Sequence, residues 1–237
     1  MNLEVLEDVE ALAQRGARVI AEFARDAILR RERFVFAASG GHTPWLMLRA
    51  LGTMDLPWER MHIVQVDERI APAGDPARNL THLQESLLEH CPLRPEQIYP
   101  MPVEASNLQA AAVEYAAALR DLAGSPPVLD LVHLGLGSDG HTASLLPGDP
   151  VLDITDRDVG LAGPYEGRRR MTLTFPTLDR ARGILWLVAG AEKANMLLRL
   201  CRGDRSIPAG RVNQKNALVL ADRASGALLA SLINDAR

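Results

Sequence analysis

The sequence predicts an α/β fold of Rossmann-like, doubly wound type, in which helices cover both faces of a mostly parallel sheet. Two observations predict it. Short, uninterrupted apolar runs indicate strands that are buried on both sides, and longer segments with apolar residues every three or four positions indicate helices between them. No internal repeat, low-complexity tract or long linker interrupts this alternation, so we expect a single domain over residues 1–237.

The first predicted element is a helix over Val9 to Ile28, where apolar residues recur at helical spacing. The predicted strands are Phe34 to Ala38, Met61 to Val66, Leu129 to Leu134, Gly183 to Val188 and Ala217 to Leu220. The later helices are predicted at Pro44 to Leu51, Asn79 to Glu89, Ser106 or Asn107 to Leu122, Ala191 to Leu200 and Ala224 to Leu232. Residues 159–175 break the rhythm, and their alternating pattern is typical of strands with some antiparallel pairing.

The composition argues against several classes of function. A net charge of -4 and a pI near 5.9 provide no basic surface for nucleic acid. No stretch approaches the roughly 20 apolar residues that span a bilayer, so no membrane partner is expected. Cys91 and Cys201 form neither a metal-binding pair nor a disulfide framework, which indicates a reducing, cytoplasmic location. The histidines lack metal-ligand spacing, so we predict no metal. We also expect no cofactor, and monomer and homodimer both remain open.

Loops that follow strands are the expected ligand sites, because ligands bind beyond the carboxyl ends of such sheets. The first of them reads Ser39-Gly40-Gly41-His42-Thr43-Pro44. The glycines permit close backbone approach, and the following helix start offers N–H groups and a positive dipole end to a phosphate. Hydroxyl groups come from Ser39 and Thr43. The alternative is an ordinary glycine turn with Thr43 as N-cap; no Gly-Lys-Ser/Thr follows, which excludes a Walker loop.

The second loop, Asp67-Glu68-Arg69, comes directly after a predicted buried strand. Three adjacent charges are common at the solvated start of a loop. A strand end in this architecture also points into the ligand crevice, where Arg69 could hold an anion or polarise a carbonyl. Both interpretations remain open on these residues alone.

The third loop contains Gly135, Gly137 and Gly140, which match the G-x-G-x-x-G pattern of dinucleotide-binding proteins. The context argues against a dinucleotide. Pro147 interrupts any following helix after about two turns, and Asp158, the acidic candidate, ends no obvious strand. The glycines instead present a histidine and a carboxylate.

His141 and Asp139 are those two residues, two positions apart in a glycine-rich loop after a strand. A lone histidine is more often structural than catalytic. A histidine beside a carboxylate in such a loop, however, is suited to accept and return a proton. The loop therefore indicates a general base.

Two further cations fit the same edge of the sheet. Lys193 follows Gly190 near a predicted helix start after another apolar strand, and Arg170 lies in the most basic run of the chain. Either could bind a phosphate, and either could be an ordinary surface charge.

In order along the chain, these segments resemble the 6-phosphogluconolactonase family of the glucosamine/galactosamine-6-phosphate isomerase superfamily. The matching stretches are Ser39 to Pro44, Asp67 to Arg69, Gly135 to Pro147, Arg170 to Thr174 and Gly190 to Lys193. The resemblance implies the fold of sugar-phosphate isomerases and deaminases. It also implies hydrolysis of 6-phospho-D-glucono-1,5-lactone to 6-phospho-D-gluconate in the oxidative pentose phosphate pathway.

In that reaction we expect His141 to activate the water, Asp139 to orient the imidazole and Arg69 to stabilise the developing oxyanion. The residues expected to bind the substrate are Ser39, Gly40, Gly41, Thr43, Asp67, Arg170 and Lys193.

Two alternatives come from related proteins. Glucosamine-6-phosphate deaminases continue the Asp-Gly-His loop with Phe-Asn-Glu, where this chain has Ser144, Leu145 and Leu146, so the proton-transferring Glu is missing. They also tend to carry Tyr where this chain has Arg69. A non-catalytic sugar-phosphate sensor would normally carry a DNA-binding segment, for which this sequence has no basic surface. His42, Arg78 and Leu146 depart from the lactonase pattern without removing a group that the chemistry needs.

Overall fold

The computed structural model describes residues 1–229. Within them the strands are β1 (Asn2–Leu6), β2 (Phe34–Ala38), β3 (Met61–Gln65), β4 (Asp67–Arg69), β5 (Ile98–Tyr99), β6 (Leu131–Leu134), β7 (Val159–Tyr165), β8 (Arg168–Leu173), β9 (Ile184–Val188) and β10 (Ala217–Asp222). The helices are α1 (Val9–Arg31), α2 (His42–Gly52), α3 (Asn79–Ser86), α4 (Leu108–Ala123), α5 (Phe175–Asp179), α6 (Ala194–Cys201) and α7 (Pro208–Arg211).

Among these residues, seven strands form one parallel sheet in the order β1-β10-β9-β6-β2-β3-β5. Side chains of β2 alternate between its faces. Phe34 and Phe36 pack in one cluster with Leu12 of α1, whereas Val35 packs in the opposite cluster with Leu119 of α4. A strand buried on both faces must be apolar throughout, as β2 is. The predicted parallel sheet with helices on both faces is therefore confirmed.

A second sheet, in the order β4-β8-β7, contains the antiparallel pairing predicted around 159–175. β7 and β8 form a hairpin, and β8 also pairs with β4. The register of that second pairing places Arg69 directly opposite Arg170.

Strand β1 was not predicted from the sequence. It pairs only with β10, so it is an edge strand within the described part of the chain, and Leu3 and Val5 remain exposed. Because such a strand is not buried on both faces, it lacks the continuous apolar run by which the other strands were predicted.

Several predicted helices begin or end differently. The helix expected at Asn79 to Glu89 ends at Ser86 and is followed by a 3₁₀ turn, Leu88–His90. The helix expected from Ala191 begins as a 3₁₀ turn, Ala191–Lys193, before α6. Of the closing helix expected at Ala224 to Leu232, the structure contains the 3₁₀ turn Ser225–Leu228, and residues 230–232 lie outside the described residues.

Candidate active site

Loops at the carboxyl ends of the central strands surround an open cavity of about 320 Å³. Every residue proposed above for catalysis or substrate binding lines it except Asp139: Ser39, Gly40, Gly41, Thr43, Asp67, Arg69, His141, Arg170 and Lys193. Parallel strands end at one edge of their sheet, so loops far apart in sequence converge there. The structure thus brings nine of the ten proposed residues together at one cavity, and their roles stay predictions.

Asp139 lies behind His141 and contacts it directly. The Asp139 Oδ1 atom is 2.6 Å from Nδ1 of the imidazole and 3.1 Å from the His141 backbone nitrogen. Burial opposes ionisation of this carboxyl, but the amide and the imidazole of His141 outweigh it and lower the pKa of Asp139. An ionised Asp139 accepts from Nδ1–H, which leaves Nε2 as the ring nitrogen that can take a proton.

The glycines of this loop make the histidine–carboxylate contact possible. Gly140 has a φ of +86°, in the region that favours glycine. A Cβ atom on Gly137 would lie 2.2 Å from Nδ1 of His141 and 2.6 Å from the Asp139 carboxylate. The glycine pattern therefore serves the His141–Asp139 pair, and a larger residue at 137 would displace it.

Two arginines face the cavity from opposing strands, Arg69 on β4 and Arg170 on β8. Only 3% of Arg170 is exposed. Its burial and the positive charge of Arg69 lower the pKa of Arg170. Like charges placed opposite each other destabilise a sheet, so this pair favours a bound anion between or beside them.

Arg69 is fixed by a chain of polar contacts. Its guanidinium donates to the Asn79 side-chain oxygen and, at 3.2 Å, to the carbonyl of Ala77. The Asn79 amide in turn donates to the Asp67 backbone oxygen at 2.9 Å and to its carboxylate at 3.2 Å. The other carboxylate oxygen accepts from the Ser144 hydroxyl at 2.6 Å. Arg69 and Asp67 are thus held in one network at the cavity wall.

Asp67 and Glu68 are buried, 3% and 0% exposed, so the interpretation of this segment as a solvated loop start is wrong. The Glu68 carboxylate accepts from the backbone N–H groups of Arg69, Asn79 and Leu80 at 2.7–2.8 Å. It also forms a 3.0 Å ion pair with the buried Arg78. A carboxylate with this many donors joins β4 to the start of α3.

The glycine loop after β2 leads directly into α2. The helix begins at His42 with Gly41 at the N-cap, so Thr43 is not the N-cap that the turn interpretation required. No side chain caps the first turn, and Gly41 has a φ of +124°. A Cβ on Gly40 would lie 1.8 Å from the Asn79 side-chain oxygen, so glycine permits this close approach.

Lys193 lines the cavity together with the cationic side chains of Arg69 and Arg170. It ends the 3₁₀ turn Ala191–Lys193, and its amide donates to Gly190 at 3.0 Å. The Gly190 amide, in turn, lies 3.2 Å from both carboxylate oxygens of Asp222 at the end of β10. The turn that carries Lys193 is therefore attached to the sheet.

Three residues that bear on the site were not proposed from the sequence: Asn79, Ser144 and Tyr165. In the sequence, Asn79 is only the first residue of a predicted helix, and Ser144 is only the position where deaminases carry Phe. Tyr165 packs edge-to-face on His141, with ring centroids 5.2 Å apart. No local pattern could have indicated these contacts, because each joins segments that are distant in sequence.

Two absences within residues 1–229 concern membrane-spanning helices and metal sites. No helix among these residues is long and apolar enough to cross a membrane. Among the same residues, no three or more His, Cys, Asp or Glu side chains are grouped so that they could hold a metal ion.

Comparisons with known proteins agree on one family. The family model described as "Glucosamine-6-phosphate isomerases/6-phosphogluconolactonase" matches residues 7–220. A 6-phosphogluconolactonase of Synechocystis sp. is 36% identical over 200 residues, 83% of each chain. One of Nostoc sp. is 32% identical over 236 residues, 96% of this chain and 98% of the relative. The structure of 6-phosphogluconolactonase from Trypanosoma brucei superimposes with a TM-score of 0.83 at 26% identity, covering 96% of this chain and 98% of that one.

Proposed function

Because the chain belongs to the glucosamine-6-phosphate isomerase/6-phosphogluconolactonase family of enzymes, we propose that it hydrolyses 6-phospho-D-glucono-1,5-lactone to 6-phospho-D-gluconate in the oxidative pentose phosphate pathway. One observation carries the proposal. His141, whose Nδ1 contacts Asp139, shares a cavity with three cationic side chains, Arg69, Arg170 and Lys193. A proton acceptor beside an anion-binding wall is what hydrolysis of a phosphorylated lactone requires.

In this mechanism, Nε2 of His141 takes a proton from water as the water oxygen attacks the lactone carbonyl carbon. The tetrahedral intermediate then collapses, the bond between that carbon and the ring oxygen breaks, and His141 returns the proton to the departing alkoxide. Asp139, 2.6 Å from Nδ1, orients the ring and stabilises its charged form. No cofactor enters any step.

Arg69 is assigned to the oxyanion that develops on the carbonyl oxygen, a role that typically contributes a few kcal/mol. Arg170 and Lys193 are assigned to the 6-phosphate, together with the loop residues Ser39, Gly40, Gly41 and Thr43. Asp67, held by Ser144 and Asn79, is assigned to a hydroxyl group of the substrate. Fixing the phosphate sets the position of the reacting carbon relative to His141.

The cytoplasm remains the proposed location, with a small phosphorylated lactone as partner. A deaminase reaction is the rival within the same family. Leu146, buried and apolar, occupies the position where the deaminase loop would carry its proton-transferring Glu, which favours hydrolysis.

The test is hydrolysis of freshly made 6-phosphogluconolactone, followed as proton release above the spontaneous rate. His141→Ala should lower kcat by about 10²- to 10⁴-fold while KM stays within a few-fold, because the base acts in the transition state and not in substrate binding. His90→Ala, which changes an exposed histidine, is the matched control and should keep wild-type kcat.

An unchanged kcat in His141→Ala would refute the assignment of the base. Wild-type protein that leaves lactone hydrolysis at the spontaneous rate but releases ammonia from glucosamine 6-phosphate would refute the lactonase proposal in favour of the deaminase.

A further inference from the structure

Tyr165 lies between His141, the proposed base, and Arg170, one of the cations proposed to bind the phosphate. It ends β7, and the turn that follows has Glu166 and Gly167 at positive φ, 52° and 77°. This tight turn reverses the chain into β8, where Arg170 follows. The hairpin thereby places the Tyr165 ring against the Arg170 guanidinium and against the His141 imidazole.

The contact with Arg170 is a cation–π interaction, with the guanidinium carbon 4.9 Å from the ring centroid. Arg170 needs such a partner. Its Nε atom is buried and has no hydrogen-bond partner among the described residues, and its ion pair with exposed Glu166 is long, at 3.4 Å. The aromatic face therefore supports a guanidinium that burial and the charge of Arg69 otherwise destabilise.

The contact with His141 is edge-to-face, with an interplanar angle of 62°. It fixes the imidazole from the side, while Asp139 holds Nδ1. Burial and the negative charge of Asp139 also raise the pKa of Tyr165, so its hydroxyl stays protonated beside that carboxylate. One side chain thus contacts or faces three groups of the site: the base, its carboxylate and the arginine.

We propose that Tyr165 is a positioning residue that sets His141 and Arg170 relative to each other, so that a substrate held by its phosphate presents its carbonyl carbon to the base. Tyr165 does not touch the reacting atoms. It acts through the orientation of two side chains that do, and the inference rests on the proposed lactonase function.

The experiment compares Tyr165→Leu, which removes the ring, with Tyr165→Phe, which keeps it. With the phosphorylated lactone, Tyr165→Leu should lower kcat about 10-fold and raise KM by a similar factor, since a displacement of about 1 Å at a reacting centre costs up to 10²-fold. With unphosphorylated glucono-1,5-lactone, the same variant should lower kcat but leave KM unchanged, because Arg170 then has no phosphate to bind. Tyr165→Phe should retain at least about a third of wild-type kcat, because both ring contacts remain.

Tyr99→Leu, the same change on edge strand β5, serves as the control and should keep wild-type kinetic constants. Calorimetric titration with 6-phosphogluconate gives a readout that is independent of turnover, and Tyr165→Leu should weaken binding about 10-fold. Wild-type kcat per folded molecule in Tyr165→Leu would overturn the proposal, even if the variant unfolds at a lower temperature. Equal KM changes with both lactones would also overturn it. Failure of the lactonase proposal itself is distinguishable, because the wild-type protein would then show no enzymatic hydrolysis.

Discussion

The Glu68 carboxylate lies beneath the cavity, fully buried between β4 and the start of α3. Its oxygens accept hydrogen bonds from backbone N–H groups of both elements, including those of Arg69 and Asn79. Burying a carboxylate is costly unless it is hydrogen-bonded and paired, and here Arg78 supplies the opposite charge. Glu68, which is fully buried, thus fixes the backbone positions of Arg69 and Asn79.

Replacing Glu68 by Gln should lower the free energy of unfolding by about 3 kcal/mol, because the buried Arg78 guanidinium loses its ionic partner. Urea denaturation measures the change. Glu104→Gln is the matched control, since Glu104 also pairs with Arg78, at 2.8 Å, but from a half-exposed position. Its loss should cost under about 1 kcal/mol. Equal losses in the two variants would contradict the role assigned to the buried pair.

The loop from β2 into α2 and the first residue of α3 meet at Gly40 and Asn79, 39 positions apart along the chain. The Asn79 side-chain oxygen occupies the space where a Cβ of residue 40 would stand, and the same oxygen accepts from Arg69. The glycine loop and α3 therefore meet at the Asn79 oxygen that also holds Arg69, the arginine proposed to bind the oxyanion.

Gly40→Ala should lower kcat/KM for the lactone roughly 10- to 100-fold, because the new methyl group displaces Asn79 and with it Arg69. Asn79→Ala should have a similar effect by removing the same hydrogen bond. The double variant should be no worse than Asn79→Ala alone, since the clash and the contact involve the same atoms. Additive losses measured in this cycle would show that Gly40 acts through some other contact.

Across the whole molecule, the parallel sheet buries an ionisable group beneath the site. His133 on the central strand β6 is 0% exposed, and its Nδ1 accepts from the Ser39 amide at 3.3 Å. Burial lowers the pKa of His133 to about 3. An unfolded histidine titrates near 6.5, so the unfolded chain binds a proton that the folded chain excludes between these values.

The stability that neutral His133 contributes should thus be complete above about pH 6.5 and be lost as pH falls towards 3, with a slope of up to about 1.4 kcal/mol per pH unit. Urea denaturation between pH 5 and 6.5 should show a shallower dependence in His133→Asn than in wild-type protein. His90→Asn, at an exposed site, should keep the wild-type slope. Carboxyls with a lowered pKa, such as Asp139, lose their contribution below about pH 4 and stay outside this window. Parallel curves for His133→Asn and wild type would contradict the prediction.

Local pattern accounts for much of what was foreseen. The interior strands are apolar along their whole length because both faces are covered, and that signal is contained in contiguous residues. The glycine-rich loops at 39–44 and 135–141 are local as well, as is the spacing of Asp139 and His141. Edge strand β1 escaped prediction because a strand covered on one side only lacks the apolar run.

Contiguous residues were enough to predict the fold class, the glycine-rich loops that line the cavity and the pair proposed as base and orienting carboxylate. Three sets of contacts follow only from the folded chain. Arg69 lies opposite Arg170, Asn79 and Glu68 form hydrogen bonds with Arg69 on β4, and Tyr165 contacts both His141 and Arg170. Most of these contacts join residues that are not neighbours in the sequence. Periodicity and turn chemistry act between neighbours in the chain, whereas strand register and the packing of a hairpin over a loop depend on the whole fold.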